Sequence, residues 1–169
     1  MTFSRSFPAT HPRKGEPTHF VEKILKAKGI SVQTIFRSLQ QLNTTIPIEL
    51  LESFVRELVI IQDLPPKKHT IRAGKRWKAG DKFSPRVWSG QPYASKMITI
   101  SNDITISRVV DIEIKGSWVY FSGQQYSHMT LCHALAKNDG LSVGDFCDWF
   151  SGKNFSGQII IWDDKHLPY

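Results

Sequence analysis

Pro65 and Pro66 stand back to back where the apolar spacing of this chain changes, and they divide what it can fold into. Neither proline can continue a helix or donate an N–H to a ladder. Before them, apolar residues recur every three or four positions, as on one face of a helix. Phe20, Val21, Ile24 and Leu25 form a first stripe, with Pro17 suited to the first helical position and Gly29 to the stop. Ser31 can cap a second stripe of Val32, Ile35, Phe36, Leu39 and Leu42. A third, of Leu50, Leu51, Phe54, Val55 and Leu58, follows Pro47. The spacing predicts an N-terminal helical lobe over 1–64, led in by an extended arm rich in Pro, Ser, Thr and basic residues.

After the prolines the period falls toward two. His69–Arg72 reads as a short strand, and Lys82–Trp88 alternates but holds Pro85, a sign of an edge or bulge. Lys96–Ile100 and Ile104–Ile114 are rich in Ile and Val, with an Asn102-Asp103 turn between them. Lys115-Gly116 is a hairpin turn into Trp118–Phe121. Helical spacing returns from Ser127 to Lys137 and breaks at Asn138-Asp139-Gly140. Ser142 then caps a further helix, with Asp145 at its third position and Phe146, Trp149 and Phe150 on its apolar face. Gly157–Trp162 closes the domain as a buried strand. This order predicts an α+β fold, with a small, partly closed barrel over 65–169 to manage the sheet edges.

Charge is concentrated just past the break. Nine of the 22 Lys and Arg residues lie between Lys67 and Lys96 with Asp81 as the only acid, a local net charge of +8. The other 139 residues carry thirteen basic and fourteen acidic side chains, a net −1. Trp77, Phe83, Trp88 and Tyr93 are interleaved with the cations. Cations neutralise phosphates and flat rings stack on bases at about 1–3 kcal/mol each, so the pattern suits RNA, nucleosides or nucleotides. Lys67, Lys68, Arg72, Lys75, Arg76, Lys78 and Arg86 are the expected phosphate or base-edge contacts, and Trp77 or Trp88 the stacking platforms.

The densest set is Lys67-Lys68-His69-Thr70-Ile71-Arg72. On an extended strand His69 and Ile71 face one way, and Lys68, Thr70 and Arg72 the other. A hydroxyl and a guanidinium two residues apart can meet one anion or carbonyl. The Lys67 amine, just before the strand, can turn toward Thr70 and serve as its base.

K-x-x-T-x-R at Lys67, Thr70 and Arg72, followed by Gly80-Asp81-Lys82-Phe83, resembles the signature of ASCH domains, a branch of the PUA-like superfamily. The runs 135–142 (LAKNDGLS), 145–150 (DFCDWF) and 157–162 (GQIIIW) add to the likeness, which covers roughly 65–164. The resemblance implies a small β-barrel with flanking helices and a cleft that faces RNA or nucleosides. In one branch it implies hydrolysis of acetylated cytidine by a Lys, a Thr and a Glu, which places Lys67, Thr70 and Asp139 in those roles. Asp139 departs from the pattern by one methylene, a reach shorter by about 1–1.5 Å. Pro65 departs too, standing where such domains usually have Gly.

Other chemistries find little footing. Cys132 and Cys147 form neither a CxxC pair nor a disulfide framework, which suits a reducing, cytoplasmic setting. His128 and Cys132 are helix neighbours at four residues, but a zinc site lacks further ligands at suitable spacing, so no metal is expected. No Gly-rich phosphate loop is present, and no nucleotide or other cofactor is expected. No apolar run approaches the about 18–20 residues that span a bilayer, so no membrane partner is expected. The oligomeric state is not legible in the sequence.

Overall fold

The computed structural model describes residues 1–31, 62–116, 118–121, 124–150, 154–165, 167 and 169, of which 127–130 are described by backbone alone. The second and third predicted helices lie outside the described residues.

The apolar run Ile159, Ile160 and Ile161 belongs to β9 (Phe155–Ile161), and from Gly157 onward every residue of that strand is buried. A strand without alternation needs cover on both faces and partners on both edges. β9 has both, sitting antiparallel between β1 (His69–Ala73) and β6 (Arg108–Lys115). The sheet extends through β7 (Trp118–Phe121) and β8 (Gln124–Ser127), giving five strands in the order β1-β9-β6-β7-β8. Two small ladders accompany it, β2 (Lys82–Phe83) with β5 (Ile104–Thr105), and β3 (Arg86–Trp88) with β4 (Met97–Thr99). The alternating stretch 82–88 is thus two strands parted at Ser84-Pro85, as the proline implied. The fold is α+β and the sheet antiparallel. Its edges β1 and β8 do not pair with each other, so among the described residues no barrel closes.

Helix α1 (Phe20–Ala27) starts three residues later than Pro17 suggested, because the arm claims the preceding backbone. Ser6 bridges to Pro17, Thr18 N–H donates to Arg5 O, and Thr18 Oγ1 donates to Ser4 O at 2.7 Å. Its stop at Gly29 is as expected. With φ at 71°, Gly29 lets Ile30 N–H reach back to Leu25 O. Helix α2 (His128–Asp139) ends the same way at Gly140, φ 74°, with Leu141 N–H on Ala136 O. Helix α3 (Val143–Phe150) has the predicted cap, Asp145 N–H donating to Ser142 Oγ at 3.0 Å.

One hydrophobic core joins these parts. Ile24 and Leu25 of α1, Leu135 and Ala136 of α2 and Phe146 of α3 pack with Ile112, Val119 and Ile159 of the sheet. Phe3 and Phe7 of the arm are buried in the same cluster. The arm is therefore a docked strap, not a loose lead-in. Among the described residues no helix is long and apolar enough to cross a membrane.

Gly157 sets how closely β9 lies against β1. A Cβ there would stand 2.1 Å from the Arg72 carbonyl oxygen, a backbone atom that cannot swing aside. Gly157→Ala is expected to cost about 3 kcal/mol or more, read as a lower urea midpoint, since overpacking against backbone must move a strand.

Candidate functional site

The backbone just before β1 is tied to two helices. Lys67 N–H donates to Lys23 O in α1, and Lys68 N–H to Asn138 O in α2. Lys67 therefore enters the protein between those helices and is 1% exposed. Its ammonium donates to Asp139 Oδ1 at 2.5 Å and to the Asp139 carbonyl at 2.7 Å, and lies 4.1 Å from the centre of the Phe20 ring. Lys23, also buried, donates to Thr18 O at 2.8 Å and Gly140 O at 2.6 Å. Gly140 makes room for both lysines: a Cβ there would meet Lys23 Cδ at 3.0 Å and Lys67 Cβ at 3.3 Å.

Burial dominates the ionisation of this cluster. It brings Lys67 down to about 8 despite the opposing pull of Asp139, with Arg72 and Lys23 pushing the same way as burial. Lys23 falls to about 8, also through burial. Asp139 is raised by burial, against the attraction of Lys67, Arg72 and Lys23. His69 is held well below its ordinary value by burial and then by Lys67. Its Nδ1 pairs with the Tyr169 hydroxyl at 2.8 Å, while Nε2 lies 3.8 Å from Asp139 Oδ1 without a hydrogen bond.

Beside this cluster lies a hollow of about 80 Å³. Its polar lining is Lys67, Thr70, Arg72, Asp139 and Ser4, and its aromatic walls are Phe3, Phe20, Trp149 and Phe150. The Thr70 hydroxyl has no hydrogen bond to any described residue. Arg72 donates through Nη2 to Thr2 O at 2.6 Å and lies 5.2 Å from the Phe3 ring centre, while its buried Nε has no partner. Burial lowers the Arg72 pKa, with Asp139 opposing and Arg76 adding to the effect.

Four residues singled out in the sequence, Lys67, Thr70, Arg72 and Asp139, thus share one hollow. The others stand elsewhere. Lys68 precedes the first strand residue, so strand alternation does not place it; its ammonium lies 3.7 Å from Asp163 and bonds Lys165 O. Lys75 pairs with Asp111 at 2.7 Å on the exposed face of the sheet. Arg76 covers the Trp77 ring at 4.8 Å, and that ring packs edge-on against Phe83. Trp77 is also fixed through its backbone, which bonds Gln158 in both directions. Lys78 and Arg86 are exposed, and Trp88 is half-buried with Tyr93 at 5.4 Å. Arg86, Arg72 and Arg76 all bear on the Met1 ammonium, whose pKa falls through burial and then through these three cations.

Sequence reasoning missed the parts that close the hollow. Phe3 and Ser4 come from a segment read as a lead-in, and Phe20 from a stripe read as plain core. Two phenylalanines four residues apart in a polar arm were the only signal for the strap. The two cysteines face each other, with Cys132 Sγ and Cys147 Sγ 3.9 Å apart between α2 and α3. Among the described residues no group of three or more His, Cys, Asp or Glu is placed to hold a metal ion.

Compared with protein-family models, with curated proteins and with solved structures, the chain matches none.

The Lys67–Asp139 pair is expected to behave as a unit. Lys67→Met leaves a carboxylate buried without its partner and should cost about 3–5 kcal/mol in urea unfolding, whereas Lys67→Met with Asp139→Leu should recover most of that loss. A double variant no more stable than the single one would contradict this coupling.

Proposed function

We propose that this chain recognises a nucleoside, or a nucleoside within RNA, as a PUA-like protein of the ASCH kind acting in the cytoplasm. The observation that carries the reading is the convergence of Lys67, Thr70, Arg72 and Asp139 on one aromatic-walled hollow. Donors there suit the carbonyl edge of a base, and the walls suit its faces. A hollow of about 80 Å³ is small beside the roughly 300–1,000 Å³ of a drug-sized site, so it suits one base and not a strand. A longer RNA would lie outside it, along Arg76 on Trp77 and Arg86 beside Trp88. Cys132 and Cys147 form no disulfide, which fits a reducing compartment.

Binding of cytidine and of single-stranded RNA, followed by titration at two salt concentrations, tests this. RNA affinity is expected to fall with salt, and Arg76→Ala with Arg86→Ala should reduce the log–log slope by about one per cation removed. Absence of binding to both ligands at low salt would remove the reading.

A second reading, hydrolysis of an acylated cytidine, is favoured by the state of Lys67. With its pKa brought to about 8, the lysine is readily neutral in mild base. A neutral amine keeps both N–H bonds to Asp139 and has its lone pair left for the Thr70 proton. Thr70 Oγ would attack the acetyl carbonyl, the cytosine amine would leave with a proton, and water would release acetate from Thr70. Since the active form is deprotonated Lys67, turnover of N4-acetylcytidine is expected to rise with pH and level off above about pH 8. Thr70→Val should reduce it to background. Turnover that falls between pH 7 and 9, or that survives Thr70→Val, would exclude this chemistry.

A further inference from the structure

Of the two cations that line the hollow, Lys67 and Arg72, Arg72 is the one with no ion-pair partner among the described residues. Lys67 has Asp139, and Lys23 is held by two backbone carbonyls. Among the described residues no carboxylate lies within ion-pair distance of the Arg72 guanidinium; its contacts are the Thr2 carbonyl and the Phe3 ring. Its Nε is buried, unpartnered and borne by a residue that lines the hollow. The lining residues carry two positive charges and one negative, a net +1. A buried charge without a partner is costly, and a guanidinium is best compensated by a planar oxyanion that takes two of its N–H groups or one N–H and a neighbouring hydroxyl.

The remaining free donor, the Thr70 hydroxyl, lies two residues away on the same strand. Phe3, Phe20, Trp149 and Phe150 provide flat apolar walls. The volume, about 80 Å³, is small for a ligand site and suits a single ring better than a fused pair. Rings need walls, and the anion needs Arg72. We propose that the preferred ligand of the hollow is a single planar ring bearing one carboxylate, its oxygens on Arg72 and Thr70 and its ring between Phe3 and the Phe20–Trp149 wall. Phe3, from the strap, sets the size limit. This rests on the hollow being the ligand site, as in the reading above, but not on the ligand being a nucleoside.

Neighbouring charges agree with this assignment. Arg76 adds positive potential at Arg72 and Asp139 opposes it. Asp145, the other buried acid near α1, is already taken by Arg13 at 2.8 Å and by the Ser142 hydroxyl at 2.8 Å. Among the described residues no further carboxylate is placed to compensate Arg72.

The test is calorimetric titration of the full chain with four probes: orotate (ring and carboxylate), uracil (the ring alone), acetate (the carboxylate alone) and cytidine. Orotate is expected to bind one per chain and at least about tenfold tighter than uracil or acetate, the worth of one charge-assisted hydrogen bond. Arg72→Gln should bring orotate and uracil within about twofold of each other, and Phe3→Ala should admit larger two-ring acids. In the unsubstituted protein, the Arg72 Nε–H resonance should shift on adding orotate, a readout that stands even if Arg72→Gln does not fold. Uracil binding as tightly as orotate, or an unmoved Arg72 Nε–H at orotate saturation, would overturn the proposal. Cytidine binding without orotate binding would sink the carboxylate ligand and leave the nucleoside reading. Orotate binding without cytidine would do the reverse.

Discussion

The ion pair between Lys67 and Asp139 fastens three elements at one point. Lys67 leads into β1, Asp139 ends α2, and the Phe20 ring of α1 lies over the ammonium. Two ions stripped of water lose several kcal/mol each, and their attraction restores this only with further hydrogen bonds. Here the Asp139 backbone carbonyl supplies one, and Gly140 leaves the space that lets Lys67 and Lys23 approach the end of the helix. Burial outweighs pairing on both partners, lowering the lysine and raising the aspartate. It is the burial of Lys67 between the two helices, working against its pairing with Asp139, that brings its pKa down to about 8.

The strap is the second device. It is fixed at its start by Phe3 N–H on Arg86 O and Arg86 N–H on Met1 O, and at its far end by Arg13 on Asp145 of α3. Between them, His11 stacks on Phe7 at 4.3 Å and reaches the Asp145 carbonyl at 3.2 Å. Phe3 meets Phe83 and Trp162. Burying these rings offsets the ordering of a Pro- and Ser-rich segment that would not hold a shape alone. One consequence is functional: the hollow has a wall that the sheet and helices do not supply.

Two kinds of positive charge follow from this architecture, with different physics. Outside the hollow, Lys78 and Arg86 are exposed and Lys75 pairs with a neighbour, so salt screens them. Inside, Arg72 is shielded by the strap and weakly screened, so a single oxygen atom placed against it counts for more. The proposed recognition by ring size and charge rests on the interior site, and the proposed attraction to RNA on the exposed cations.

Local sequence determined the elements. Pro65-Pro66, the glycine stops at Gly29 and Gly140, the Ser142 cap, the Pro85 break and the Ile159–Ile161 run each act over a few residues, and each did in the folded chain what its chemistry implies. The K-x-x-T-x-R spacing likewise placed Thr70 and Arg72 on one short strand with Lys67 just before it, and all three line the hollow. β8 was not legible, because Gln124–Ser127 carries no apolar alternation and is a strand by virtue of pairing with β7. What Lys67 faces was not legible in spacing, which suggested Thr70, and only the resemblance set Asp139 beside it; the helices on either side aim the amine at Asp139, 72 residues away. The same holds for Lys68, drawn to Asp163, and for Phe3, folded over Arg72. Spacing governs which residues share a strand or a stripe; which of them end in water, in an ion pair or around a hollow depends on the desolvation and packing of segments far apart in the chain.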